Sequence, residues 1–429
     1  MARRLFTLLL AASILTVSFG TAAVAATNNP TIIQISGAGN ILHIVASLGG
    51  GVLLDQVPGT NIYLFNLPNL PIVTPLLQSL LGIAFIEPDD RLVSPARAQT
   101  GILAVRAGIA ADWYKMQPEL LRIRAIEAQA YSKGRGIVVA DLNSLIDYGH
   151  PALIGHLTGG YDFVSARSGY QATLNQSSAS FIDQSSSSFL DQSSSGFLDQ
   201  SSASFLDQSS ASFIDQSSSS YLDSNPAYGH ATLCAGVIAA IAPDSMIMPL
   251  RVFDDSGQTD VFSVTKAIYY AVRNGAKVVN LSFGMSRSSS AIKGALNYAA
   301  SNNVVTVASA GNQNTSTPQF PASASAVIAV ASVTRTDVKA PFSNYGSTIY
   351  VDAPGVNIIS AYPSGRYAMV SGTSFSAPMV AAEAALIMSV KNVNVKTTIG
   401  SAVVNINAQN PPYLGKLGLG RVNILNAVK

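Results

Sequence analysis

Four short segments of this 429-residue chain set a potentially reactive side chain among small neighbours. Gly136-Ile-Val-Val-Ala-Asp141 is an apolar run ending in a carboxylate, and Tyr228-Gly-His230-Ala-Thr-Leu-Cys-Ala-Gly236 carries an imidazole. Ser371-Gly-Thr-Ser374-Phe-Ser-Ala-Pro378 carries a hydroxyl, and Val307-Ala-Ser-Ala-Gly-Asn312 an amide. A serine hydroxyl becomes a nucleophile when a base takes its proton and a third group orients that base. An amide placed after a strand can donate to the oxyanion that forms when the serine attacks a carbonyl. Each residue also has a structural reading: Ser374 as a cap at a helix start with Pro378 shortly inside it, Asn312 as part of a Gly-Asn turn. Of the four histidines, His43 lies in an N-terminal unit, His150 in a His-Pro turn and His156 in no motif, which leaves His230 as the natural base.

The elements that must position these groups are legible from Gly136 onward. Short apolar strands at 137–140, 247–252, 278–282, 304–308 and 327–333 alternate with helical spacing at 265–274 and 291–302. That alternation predicts an α/β fold, a mostly parallel sheet with helices on both faces, whose ligands bind beyond the carboxyl ends of the strands. Upstream, residues 31–35, 39–48, 52–56, 61–66, 74–81 and 83–86 read as strand, helix, strand, strand, helix, strand, a small α+β unit. Residues 93–111 have the weak periodicity of a linker.

Lys and Arg number 25 and Asp and Glu 23, a net charge of +2, which argues against a nucleic-acid partner. The composition is 48% hydrophobic and only 11% charged, yet the strong membrane-like signal is confined to the start. There Arg3 and Arg4 precede an apolar stretch at 5–19 and Thr21-Ala-Ala-Val-Ala-Ala26, the pattern of an export signal cut near Ala25 or Ala26. No transmembrane segment is expected in the mature form. Cys234 is the single cysteine, so no internal disulfide can form, and the scattered histidines show no metal-ligand spacing.

Residues 173–224 repeat an octad in which Phe181, Phe189, Phe197, Phe205, Phe213 and Tyr221 recur with Asp183, Asp191, Asp199, Asp207, Asp215 and Asp223. In a helix each aromatic would turn about 80° from the last, whereas an extended chain keeps all of them on one side.

Taken together, Ala353-Pro-Gly-Val-Asn-Ile-Ile-Ser360 and Val370-Ser-Gly-Thr-Ser-Phe-Ser-Ala-Pro378 resemble the serine block of the subtilisin-like peptidases. The His230 segment, followed by Ile241-Ala-Pro-Asp244 and Leu250-Arg-Val252, resembles the family's histidine helix. The Asp141 segment with Asp147-Tyr-Gly-His-Pro151 resembles its aspartate block, and the Asn312 segment with Phe320-Pro-Ala322 and Val327-Ile-Ala-Val330 its oxyanion segment. The chain order Asp141, His230, Ser374 matches that of subtilisin and differs from those of chymotrypsin and the α/β-hydrolases. His230 and Asn312 stand where the sedolisin branch carries Glu and Asp. Asp112-Trp113 through Ala130 is similar to the family's lead-in, and Leu417-Gly-Leu-Gly-Arg-Val-Asn423 to its close. The unit ending Ile86-Glu-Pro-Asp89 is similar to its inhibitory propeptide. There are departures: Leu142-Asn143 stand where the family has Ser or Thr and then Gly, two extra residues precede Asp147, and Ala231 replaces a glycine.

The resemblance implies a subtilisin-like domain at 113–429, an export signal at 1–26, a propeptide at 27–93, a linker with the maturation site at 94–112, and the octads at 173–224 as an insertion. It implies a secreted serine endopeptidase in which Asp141 holds His230, His230 takes the Ser374 proton, and Asn312 with the Ser374 N–H binds the oxyanion. Ser282-Phe283-Gly284 and Asp255-Ser256-Gly257 resemble the edges between which an extended substrate is clamped, so broad specificity is expected. Expected partners are protein or peptide substrates and the chain's own propeptide as inhibitor, with the enzyme a monomer. No cofactor is expected for the chemistry; structural calcium, as in many relatives, has no assignable ligands here. An extracellular location is expected, with periplasm or cell surface as alternatives. The rival expectation is a catalytically impaired surface or adhesion protein that displays the octads.

Overall fold

The structure, a computed structural model, describes residues 29–36, 44–46, 48, 50–67, 78–79, 81–93, 99–101, 113–170 and 229–429. The segment expected to direct export, most of the expected linker and the octads lie outside the described residues. The described residues separate into two compact units, one from within 29–55 and 63–88, the other from within 56–62 and 89–429. In the first, β1 (Pro30–Ile35), β2 (Val52–Gln56), β3 (Ile62–Asn66) and β4 (Ile83–Pro88) form a sheet of order β2-β3-β1-β4, with β1 and β4 antiparallel. Alternate apolar residues of these strands, Ile33, Ile35, Phe65 and Ile83, close on Ile44, Val45 and Leu48.

The second unit begins with β5 (Arg91–Val93) and β6 (Gln99–Gly101), then α1 (Pro118–Arg122), α2 (Ala125–Ala128), β7 (Val138–Asn143), β8 (Gly160–Asp162) and β9 (Arg167–Tyr170). It continues through α3 (His230–Ile241), β10 (Met246–Arg251), β11 (Gln258–Asp260), α4 (Val261–Arg273), β12 (Val278–Leu281), α5 (Ser290–Ser301), β13 (Val305–Ser309) and β14 (Val327–Val333). Last come β15 (Val351–Pro354), β16 (Ile358–Tyr362), β17 (Arg366–Ser371), α6 (Thr373–Val390), α7 (Val395–Ala402) and α8 (Ile424–Val428). Eight strands form one sheet of order β15-β14-β13-β12-β7-β10-β8-β9, parallel throughout except for the edge strand β9. Strands such as β12 and β14 are buried along their whole length, which is why they read as unbroken apolar runs and not as alternating ones. All five strands expected from Gly136 onward are present.

Chain order explains where a site can form. From β7 the chain passes to β10 on one side and later to β12 on the other, so the winding direction reverses at β7 and opens a crevice beyond its carboxyl end. Two helices meet that crevice. Every residue of α3 is buried, as is nearly all of α6, because both are apolar all round and pack against each other in the main core. The outer helices are amphipathic and capped: Asp260 accepts from Ser263 N at 2.6 Å at the start of α4, and Ser289 from Ile292 N at 3.1 Å at the start of α5.

Candidate active site

Ser374 is the second residue of α6, directly after the hairpin β16-β17, and Gly372 supplies the bend between them. A Cβ on Gly372 would stand 3.4 Å from Asn312 Nδ2, an ordinary contact distance that places the two segments side by side. Ser374 Oγ donates to the Ser282 carbonyl at 3.1 Å, and Ser282 Oγ donates to the Ser374 carbonyl at 2.9 Å. The serine is therefore held against the end of β12. Asn312, past the end of β13, accepts through Oδ1 from both Thr373 N and Thr373 Oγ1, each at 2.9 Å. Thr373 Oγ1 in turn accepts from Gly311 N at 3.1 Å. With Oδ1 occupied in this way, Nδ2 is turned toward Gly372, beside the first turn of α6, where backbone N–H groups have no intrahelical acceptor. A negative oxygen bound there would meet donors already in place.

His230 opens α3, preceded by Gly229 at φ 72°, where a Cβ would come within 2.6 Å of the Tyr362 ring. A left-handed backbone in that little space needs glycine. The imidazole is buried, lies 5.7 Å from the Phe375 ring between centroids, and has Cys234 Sγ 3.8 Å from Nδ1, as the four-residue spacing on one helix face predicts. Cys234 also donates to the Ser374 carbonyl at 3.5 Å, so a single thiol bridges the histidine and serine segments.

The group facing His230 differs from the sequence expectation. Nδ1 lies 2.8 Å from Asn143 Oδ1, and the Asp141 carboxylate is occupied elsewhere: Oδ1 accepts from Asn280 Nδ2 at 2.7 Å and Oδ2 from Asn143 Nδ2 at 3.1 Å. Asp141 pairs in register with Pro249 on one side and Asn280 on the other, inside the sheet, whereas Asn143 is the last residue of β7. Two residues of strand span about 6.5 Å and keep both side chains on one face, so the carboxylate sits one step below the position that reaches the ring. Residue type favours Asp141, the one carboxylate of β7; the signal in the sequence for Asn143 is the spacing of the residues that follow it. Anchoring on Asn143 makes Ser144 the hydroxyl residue that follows and absorbs the two extra residues before Asp147. Ser144 Oγ accepts from Ala231 N at 3.3 Å, tying the β7 turn to the start of α3, and the extra methyl of Ala231 is buried in the core. Burial pushes the Asp141 carboxyl up to about 7, against the two amide hydrogen bonds that favour its charge.

The segments expected to bind substrate fall into two kinds. Ser282 is buried beside Ser374, Phe283 is a core residue in edge contact with Phe253 at 5.2 Å, and Gly284 closes on the Gln319 side chain. Ser256 and Gly257 form a tight turn on Asp254, whose Oδ1 accepts from Ser256 N and Gln258 N; β11 follows and pairs with β5. His150 is structural, its Nε2 2.7 Å from the Arg366 carbonyl and its Nδ1 accepting from Ala152 N. Among the described residues no cluster of three or more His, Cys, Asp or Glu could hold a metal ion.

A model of the Subtilase family matches residues 134–416. Thermitase of Thermoactinomyces vulgaris is 32% identical over 320 residues, covering 72% of this chain and 94% of that protein. The thermophilic serine proteinase of Bacillus sp. (strain AK1) is 38% identical over 211 residues, covering 46% of this chain and 52% of that protein. Among solved structures, fervidolysin from Fervidobacterium pennivorans, a keratinolytic enzyme related to subtilisin, superposes with a TM-score of 0.68 at 23% identity, over 94% of this chain and 61% of that one.

Proposed function

Because the chain belongs to the subtilase family of serine peptidases, we propose that it is exported as a precursor, releases itself from its N-terminal unit, and hydrolyses peptide bonds in protein substrates through Ser374 and His230. In this reading His230 Nε2 takes the Ser374 proton as the oxygen attacks the carbonyl, then gives it to the leaving amine. Asn312 Nδ2 and the Ser374 N–H receive the charge on the tetrahedral oxygen, and water repeats the sequence on the acyl-enzyme. The observation that carries the reading is the convergence of His230, Cys234, Asn312 and Ser374 where α3, α6 and the ends of β7, β12 and β13 meet. Main-chain pairing at the Ser282–Gly284 and Ser256–Gly257 segments would make the specificity broad, and β5 lying antiparallel on β11 is an instance of extended chain on such an edge.

Casein hydrolysis by the purified mature protein, set beside a Ser374→Ala control, tests the chemistry, and the same variant tests the processing. Ser374→Ala should neither hydrolyse casein nor lose its N-terminal unit when made in a host lacking other proteases. Normal processing of that variant would remove self-cleavage, and equal casein turnover would remove Ser374.

A further inference from the structure

We propose that Asn143 is the residue that orients His230, and that the buried Asp141 carboxylate acts through it by holding its amide in the one direction compatible with base catalysis. The kinetic consequence rests on the peptidase reading above; the orientation itself does not.

An amide offers an acceptor at one end and a donor at the other, and the two ends impose opposite demands on an imidazole. If Nδ2 faced His230, Nδ1 would have to accept, the ring proton would sit on Nε2, and the nitrogen nearest the serine could not take a proton. In serine peptidases of the chymotrypsin type, replacing the triad aspartate with asparagine lowers kcat by about 10⁴ through this wrong tautomer. Here both ends of the Asn143 amide are assigned by their neighbours, the oxygen end by a group that can only donate. Asp141 Oδ2, an acceptor when ionised, lies 3.1 Å from Nδ2. The Ser144 backbone N–H, which can only donate, lies 2.9 Å from Oδ1. Oδ1 is thereby the end presented to His230 Nδ1 at 2.8 Å, so Nδ1 carries the proton and the Nε2 lone pair is available as base.

Asp141 is itself held. Its other oxygen accepts from Asn280 Nδ2 at 2.7 Å; that group also donates to Ser282 Oγ at 2.9 Å, and Ser282 Oγ donates to the Ser374 carbonyl at 2.9 Å. One continuous run of hydrogen bonds thus joins the histidine's orienting amide to the serine's own main chain. The imidazolium formed during acylation meets a neutral oxygen, with the Asp141 charge, present above about pH 7, one side chain further away. Asn143 and Asp141 are positioning residues.

The test has a spectroscopic and a kinetic arm, both on the full chain. In a Ser374→Ala background, ¹⁵N-labelled histidine, with His230 assigned by its loss in His230→Ala, should show the Nδ1–H tautomer where the ring is neutral. Adding Asp141→Asn should shift it toward Nε2–H. With Ser374 present, Asp141→Asn should lower kcat on a short peptide ester by about 100-fold or more, with KM within about threefold. The exchange Asp141→Asn/Asn143→Asp, which sets a carboxylate directly on the ring, should recover most of that loss. An unchanged tautomer in Asp141→Asn, or an exchanged variant as slow as the single one, overturns the proposal. Should Asp141→Asn not fold, Asn143→Ala takes its place, and retention of the Nδ1–H tautomer there is equally fatal. A parent chain that hydrolyses nothing but shows the Asp141-dependent tautomer would remove the peptidase reading and leave this one standing.

Discussion

At Asn312 the proposed mechanism divides a single amide between two tasks. Oδ1 is committed to Thr373, so Nδ2 is the end that can meet charge developing on a carbonyl oxygen. Such a donor acts in the transition state and not in substrate binding, so Asn312→Leu should lower kcat by about 10²–10³ at nearly constant KM, the magnitude known for subtilisin itself. Steady-state kinetics on a short peptide checks this; a raised KM at normal kcat would assign Asn312 to substrate binding. Cys234 invites a second test at the same scale. Its thiol lies against His230 Nδ1 and the Ser374 carbonyl, so a mercury atom added to it must displace the imidazole. Mercurials should abolish turnover of the parent and spare Cys234→Ala, and an equally sensitive Cys234→Ala enzyme would place the inhibition elsewhere.

Helix α6 does more than carry Ser374 at its start. Glu383, in its middle, is fully buried, and among the described residues neither of its carboxyl oxygens has a hydrogen-bond partner. Burial pushes this carboxyl up to about 8 and that of Asp141 up to about 7. Both folded-state values exceed those of the unfolded chain, so between about pH 4 and pH 8 the folded protein holds protons that the unfolded chain has released. The stability these groups contribute is complete below about pH 4 and is lost as pH rises through the folded values. Glu383→Gln, compared with its parent in a Ser374→Ala background, should be little altered at pH 5 and more stable by about 3–5 kcal/mol at pH 9. Thermal melts across that range are the measurement, and a difference that does not grow with pH would mean that Glu383 keeps its proton or finds a partner. By length and composition α6 could also cross a bilayer, unlike anything the sequence leads one to expect after its first 26 residues, but it is packed within the core cluster.

For the whole molecule, the octads enter between β9, which ends at Tyr170 on the edge of the large sheet, and Gly229, which caps α3. An insertion leaving from an edge strand does not interrupt the pairing of interior strands. Removing residues 189–204, two whole octads, shortens the 52-residue segment to 36 and changes loop-closure free energy by only about 0.3 kcal/mol. The deletion should therefore fold with an unchanged melting temperature and turn over a short peptide at close to the parental rate, with any effect confined to large substrates. Loss of short-peptide turnover in a folded deletion variant would make the array part of the catalytic architecture.

What the sequence determined by itself was whatever local chemistry dictates. Apolar runs became interior strands because nothing in them could face water, and the His230–Cys234 juxtaposition followed from helical spacing alone. Ser374 at a helix start and Asn312 after a strand were likewise readable from their neighbours. Tertiary structure decided which polar side chain of β7 reaches the imidazole, although the spacing from Ser144 and Asp147 already favoured Asn143. Asp141 and Asn143 share one face of the strand, and residue type favours the carboxylate. The choice depends on how far the strand runs before it meets the start of α3, a distance set by the registers of β7 with β10 and β12 and by the Ser144–Ala231 bond. No local pattern encodes those long-range pairings. Asn280, which steadies Asp141 from the adjacent strand, is 139 residues away in the chain and became its partner only when the sheet assembled.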